Sequence, residues 1–174
     1  MNSTTYIQDV GKTVIAVEGY IVHGTNVLLH KRSATKKVFP GWWIGPGGHV
    51  DSNEDTLSAA IREVKEETGV DITEKDIQLK SIALHHHTDR KEVYVIFIFR
   101  AEISIEQNVQ FPNQEGESKW IPITDAMQMD HIFPASKYYF DHVLQNKDGI
   151  LYTNMEIANS NITKIVSSKV DLNK

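Results

Sequence analysis

The stretch GHVDSNEDTLSAAIREVKEETGV, Gly48 to Val70, constrains this chain more than any other part of its sequence. It reads as a helix from about Asp55 to Thr68, with Ser52 or Asn53 as the N-cap and Gly69 where a helix stops. At about 100° per residue, Leu57, Ile61, Val64 and Thr68 form a narrow, mostly apolar stripe suited to anchoring the helix on a sheet. Glu63, Glu66 and Glu67 stand at i, i+3 and i+4 on a neighbouring face, where like charges destabilise a helix. Ala59, one turn earlier on that side, leaves room beside them. The helix dipole does not account for these acids, because negative charge is disfavoured toward the C-terminal end. Two readings remain. Either the face is a solvated surface relieved by Arg62 and Lys65, or the carboxylates are hard oxygen ligands whose repulsion Mg²⁺ or Mn²⁺ offsets.

Strands dominate the rest of the chain. TVIAVEGYIV and VLLH flank the turn-like HGTN and predict a hairpin. KRSATKKVFPG is a basic loop, and WWI is a short strand leading to the glycines at 45, 47 and 48. LKSIALHHH and VYVIFIFRAEI predict two strands around TDRK. FPNQEGES is a polar loop before a short strand in KWIPI. A second helix is expected in SKYYFDHVLQNK, after Pro134, and the tail predicts a further hairpin around NSN. Helices packed on the faces of a mixed sheet follow from this order.

A chain of 174 residues suits one domain of ordinary size. The absence of cysteine excludes disulfides, thiolate metal sites and thiol nucleophiles. The longest apolar run, Val93 to Phe99, is far too short to span a membrane as a helix. The start, MNSTTYIQDVGKT, lacks the basic and apolar regions of a signal peptide, so a soluble cytoplasmic protein is expected. A net charge of −5 argues against a broad nucleic-acid surface. It does not argue against a small anionic substrate, because divalent cations can bridge phosphates and an acidic pocket.

The spacing Gly48, five residues, Glu54, seven residues, then Arg62-Glu63-Val64-Lys65-Glu66-Glu67-Thr68-Gly69-Val70 resembles the Nudix box at every defined position. The family pattern is G-x5-E-x7-R-E-U-x-E-E-x-G-U, with U a bulky aliphatic residue, and FPGWWIGPGG resembles the strand and turn that precede it. The resemblance to this MutT-like family implies a single domain over residues 1–174, an α/β/α sandwich with a mixed β-sheet and a loop-helix-loop catalytic box. It implies metal-dependent hydrolysis of the pyrophosphate of a nucleoside diphosphate derivative. By the same resemblance Glu63, Glu66, Glu67 and the Gly48 carbonyl hold Mg²⁺, or Mn²⁺. Arg62 orients a glutamate of the cluster, and Glu54 fixes the loop. Gly47 and Gly48 let the backbone come close to the metal. Which glutamate accepts the proton varies within the family, and Glu66 is the choice taken for this chain. A later loop often adds an acid; Glu115 and Glu117 are the candidates, with Glu115 favoured.

The box does not read the base or sugar, so specificity must come from other loops. Phe39, Trp42 or Trp43 can stack on a base, although at least one tryptophan is expected in the core. Arg32, Lys36 and Lys37 can touch phosphates. If HHH lies on a strand, His85 and His87 share a face and His86 points away. His87 is then a candidate substrate contact. The expected substrate is a nucleoside triphosphate, including oxidised ones, giving monophosphate and pyrophosphate. Nucleotide sugars such as ADP-ribose and dinucleoside polyphosphates are alternatives, and an RNA cap fits the acidic balance poorly. A silent nucleotide-sensing domain would be expected to lack box glutamates, all of which are present. Homodimers are common in the family.

Overall fold

The apolar run after Gly11 forms β1 (Lys12–His23), turns through Gly24 at φ 56°, and returns as β2 (Asn26–Arg32). The structure is a computed structural model that describes residues 11–36, 39–109, 116–159 and 161–170. The later elements are β3 (Trp43–Ile44), α1 (Thr56–Thr68), β4 (Ile77–His87), β5 (Glu92–Glu102) and β6 (Gly116–Pro122). The short α2 (Ile123–Ala126), a 3₁₀ turn (Pro134–Tyr138), α3 (Phe140–Leu144), β7 (Ile150–Ala158) and β8 (Asn161–Val170) follow.

These strands build a mixed eight-stranded sheet in the order β3-β2-β1-β5-β4-β7-β8, with β6 paired to β2. β1 runs parallel to β5, and β4 parallel to β7; the other strand pairs are antiparallel. β6 follows β2 along its whole length, from Asn26↔Pro122 to Arg32↔Gly116. On its other edge β2 pairs with β1 only near the hairpin turn, and with β3 only at His30 and Lys31. The sheet therefore opens between β1 and β2, and the segment after β3 enters that opening.

Alternation along the strands divides the core into two layers. On one face Val17, Ile21, Leu28 and Phe99 pack with Ala59, Ala60 and Val64 of α1. On the other, Tyr20, Val22, Ile98 and Met155 pack with Ala135, Tyr139, Phe140 and Val143 from the 3₁₀ turn and α3. This is the expected α/β/α sandwich. Helix α1 lies close to β1 because Gly19 carries no side chain; a Cβ there would meet Val64 Cγ2 at 2.9 Å. Complete burial of Val64 contributes about 1.5–3 kcal/mol.

Several local expectations need correction. The N-cap of α1 is Asp55, whose Oδ1 accepts from Leu57 N and Ser58 N, and not Ser52 or Asn53. The inner face of the helix is Ala59, Ala60, Val64 and Thr68, while Leu57 and Ile61 are half-buried at its edge. Ala59 thus belongs to the core and does not make room beside the acids. Gly69 ends the helix as expected, at φ 78° with its N–H on Lys65 O. The expected second helix is a 3₁₀ turn followed by five helical residues, broken where Tyr139 leaves the helical region at φ −122°. Strand β6 begins at Gly116, inside the segment expected to be loop. The tail forms the expected hairpin, β7 with β8.

Candidate active site

The segment entering the sheet opening is held by alternate backbone groups of β1. Val17 N donates to Gly48 O at 2.9 Å, Gly19 N to Pro46 O at 2.8 Å, and Val50 N to Ile15 O at 3.1 Å. Such pairing leaves no space for side chains on the glycines. A Cβ on Gly47 would lie 2.2 Å from Val17 O, and one on Gly48 would lie 2.4 Å from Glu63 Oε1. The Glu63 carboxylate is therefore packed directly against the Gly48 backbone. Glu67 reaches the same segment, accepting from Gly47 N through Oε2 at 2.9 Å.

Arg62 gathers the remaining acids. Its Nε and Nη2 engage Glu54 at 3.1 and 2.5 Å, and its Nη1 donates to Glu63 at 2.9 Å and Glu66 at 3.2 Å. Nη2 also donates to His49 O at 3.1 Å. The paired carboxylates hold the guanidinium well above its ordinary range, chiefly through Glu54. The Arg62 bonds keep Glu54 below the usual carboxylate range, and Glu54 Oε1 also accepts from Asp51 N at 2.9 Å, tying the loop to the helix. Burial raises Glu63 against the pull of Arg62. Glu66 is the exposed member, at 59% against 15% for Glu63 and 12% for Glu67.

Oxygen donors on α1 beside a close-approach glycine suit a hard divalent cation. The Gly48 position supports the same fit, since a side chain there would occupy the place of the Glu63 carboxylate. Among the described residues no three acidic or histidine side chains stand close enough to form a ready-made cluster. In this arrangement Arg62 and Gly47 divide the carboxylates between them.

Beside the box lies a cavity of about 250 Å³. Gly47, Gly48 and Glu67 line its box side, and Ala16, Glu18, Ile96 and His85 form a floor from one sheet face. Phe39, Ile44, Phe133 and Tyr94 contribute walls; Arg32, Arg90 and His87 bring polar groups. The strand period separates His85 and His87 from His86, which instead lines a small depression with Asn154, Glu156 and Lys164. Burial pushes the His87 ring below its ordinary value. Arg32 and His87, both candidate substrate contacts, line this cavity. Trp43 lies outside the cavity lining, with the ammonium groups of Lys31 and Lys119 at 5.7 and 5.8 Å from its ring centre. Of the other aromatic candidates, Phe39 lines the cavity, while Trp42 packs edge-on against Phe39 and His131. Glu115 and Lys37 lie outside the described residues. Glu117 points to Lys31 and Lys119, at 3.5 and 3.1 Å, and is held below its ordinary range chiefly by Lys119.

Two groups were missed by sequence reasoning. His30, buried on β2, sets Nδ1 2.9 Å from Ser118 Oγ and Nε2 3.9 Å from Glu67 Oε1, while Ser118 Oγ donates to Glu67 O at 3.2 Å. Nothing local in VLLHKR marks that role, which depends on β2 pairing with β6. Glu18 is buried on β1: Oε1 accepts from Tyr20 and from Gly45 N at 3.1 Å, and Oε2 from Tyr139 at 2.7 Å. Burial pushes this carboxyl up to about 7, against the opposing pull of its three donors. Its signal was an acid in the middle of an apolar strand.

Comparison with known proteins agrees with this geometry. The family model described as NUDIX domain matches residues 12–143. The chain is 29% identical over 139 residues to the uncharacterized Nudix hydrolase YvcI of Bacillus subtilis, covering 76% of this chain and 85% of that one. It is 30% identical over 112 residues to nucleoside triphosphatase NudI of Escherichia coli, covering 59% and 77%. The crystal structure of a mutator MutT protein from Bacillus halodurans shares the fold at a TM-score of 0.76, with 23% identity and coverage of 89% and 97%.

Proposed function

Since this chain belongs to the Nudix hydrolase family and is a pyrophosphohydrolase of nucleoside diphosphate derivatives, we propose that its substrate is a nucleoside triphosphate. The products are then a nucleoside monophosphate and pyrophosphate. The observation that carries this reading is a single cavity lined both by Gly47, Gly48 and Glu67 and by the apolar surfaces of Phe39, Ile44, Ile96 and Phe133. Phosphates at the first group and a base against the second account for both linings. The likeness to NudI, a nucleoside triphosphatase, supports the triphosphate. The β7–β8 hairpin joins the same sheet beyond residue 143, which supports reading residues 1–174 as one unit.

Nudix hydrolases use divalent metal ions. Glu63, Glu66, Glu67 and the Gly48 carbonyl would hold the ion, Mg²⁺ by the hardness of these donors. Bound there, it would offset the charge that develops on phosphate oxygens and lower the pKa of a coordinated water. Arg62 fixes the acids and Glu54 fixes the loop. Gly47 N positions Glu67 through Oε2, and the His30–Ser118 pair steadies Glu67 from behind. Glu66, the exposed acid, accepts the proton of the attacking water at a carboxylate oxygen. Arg32 and Arg90 neutralise phosphate charge at the cavity. No described helix is long and apolar enough to cross a membrane.

The test is turnover of a panel of nucleoside triphosphates, nucleotide sugars and dinucleoside polyphosphates with Mg²⁺ and with Mn²⁺. Release of monophosphate and pyrophosphate from triphosphates, absent with chelator, is the expected result. Turnover confined to the other two classes would overturn the substrate assignment.

A further inference from the structure

Two buried polar groups on the cavity floor take no part in handling phosphate. Glu18 is 3% exposed, and its carboxyl oxygens receive Tyr20, Tyr139 and the Gly45 N–H. All three partners donate, so the side chain is set up as an acceptor, and Oε2 receives only Tyr139 among them. His85 is 2% exposed, and its Nε2 has no hydrogen-bond partner among the described residues. Leaving such a buried nitrogen unsatisfied is costly, and a ligand atom placed against it would recover that cost. Burial also pushes the ring down to about 3, so it meets a ligand as neutral imidazole.

The register brings these groups to one surface. β5 lies between β1 and β4, pairing Ile96 with Ala16 on one side and Ala83 on the other. Glu18 and His85 follow on the same face by the two-residue period, on either side of the Ile96 row. With Phe133 and Ile44 in the same cavity lining, the floor offers apolar surface and two separate polar atoms, the pattern of a site that orients a planar heterocycle.

We propose that Glu18 and His85 are the specificity-determining residues of this cavity and select a nucleobase that carries an exocyclic amino group. The amino N–H donates to the Glu18 carboxyl, and the opposite edge of the base faces His85 Nε2. The inference rests on the reading that a nucleotide binds with its phosphates at the box. A base without the amino group leaves Glu18 Oε2 without its extra donor, and hydrogen-bonding sites discriminate strongly against such analogues.

The test compares kcat/KM within the pairs dGTP and dITP, and dCTP and dUTP, whose members differ at an exocyclic amino group. The wild-type protein is expected to favour the amino-bearing member about tenfold or more in at least one pair. Glu18→Gln and, as a second variant, His85→Phe are each expected to reduce that preference to under about threefold. A uniform loss across all four substrates with the preference retained gives Glu18 and His85 a merely structural role and overturns the inference. So does wild-type turnover without preference in either pair, in which case the proposed reaction still stands. Calorimetry with GMP against IMP, and CMP against UMP, in metal-free buffer separates the two ideas. Selective binding lost in His85→Phe, without hydrolysis of any triphosphate, would sustain the inference while the proposed reaction failed.

Discussion

On the box side of the cavity, acids are neutralised by a neighbour in sequence: Arg62 serves Glu54, Glu63 and Glu66, all within one loop and helix. On the floor, the Glu18 carboxyl is held by Tyr20 on its own strand and by Tyr139, distant in sequence. The first arrangement is half-exposed and charged, the second buried and dominated by hydroxyl donors. The difference suits the two tasks proposed for them: box acids paired with an arginine would take the cation, and one floor acid in a dry, fixed frame would read the base.

The largest effects should come from the box. Replacing Glu63 or Glu67 by Gln is expected to lower kcat by about two to four orders of magnitude with the thermal midpoint preserved. Near-normal turnover in either variant would dissolve the distinction between the two regions. The floor should instead show itself in stability against pH. Glu18 sits at about 7 in the folded protein and at its ordinary 4.5 when unfolded. Between those values the folded state binds more protons, so stability should fall as pH rises through that window and level off above it. The loss is on the order of 3 kcal/mol. Denaturant titrations of Glu18→Gln should lack this slope; a slope equal to wild type would assign it to other groups.

Two glycines sharpen the comparison further. Gly48→Ala would push its Cβ into the Glu63 carboxylate, a movable side-chain end, and should cost about 10–100-fold in activity with little change in stability. Gly47→Ala meets the Val17 carbonyl and Glu18 Cα, both backbone, and should lower stability by about 1–3 kcal/mol. Parallel assays of kcat and unfolding midpoint would show whether the two losses separate. The smallest effect is expected from Trp43→Phe, outside the cavity lining, which should leave KM within about twofold because single contacts away from a site rarely couple to it.

The box side was legible because its parts are contiguous: the helix stop follows from Gly69, and the resemblance to the Nudix box implies that Arg62 orients its acids. The floor was far less legible. Alternation in HHH correctly puts His85 and His87 on one face, but the cavity wall that makes His85 a buried group includes Phe133 from a distant segment. Glu18 carried a local sign, an acid flanked by apolar residues, yet its meaning needed Gly45 and Tyr139 beside it. The role of His30 needed strand β6. The inner face of α1 was half legible: Val64 and Thr68 are buried as expected, but Ala59 and Ala60 are buried too, while the larger Leu57 and Ile61 pack at the edge.

The backbone bonds of Val17 and Gly19 to the glycine segment, set against the cavity-facing Ala16 and Glu18, give one strand two jobs divided by parity. A one-residue insertion or deletion in this part of β1 would exchange the two sets and disable both at once. The division is not complete, because the Glu18 carboxylate also accepts from Gly45 N and so helps to hold the glycine segment. Such a strand is intolerant of any change in length, and replacing Glu18 would leave the Tyr20 and Tyr139 hydroxyls and the Gly45 N–H without their shared acceptor.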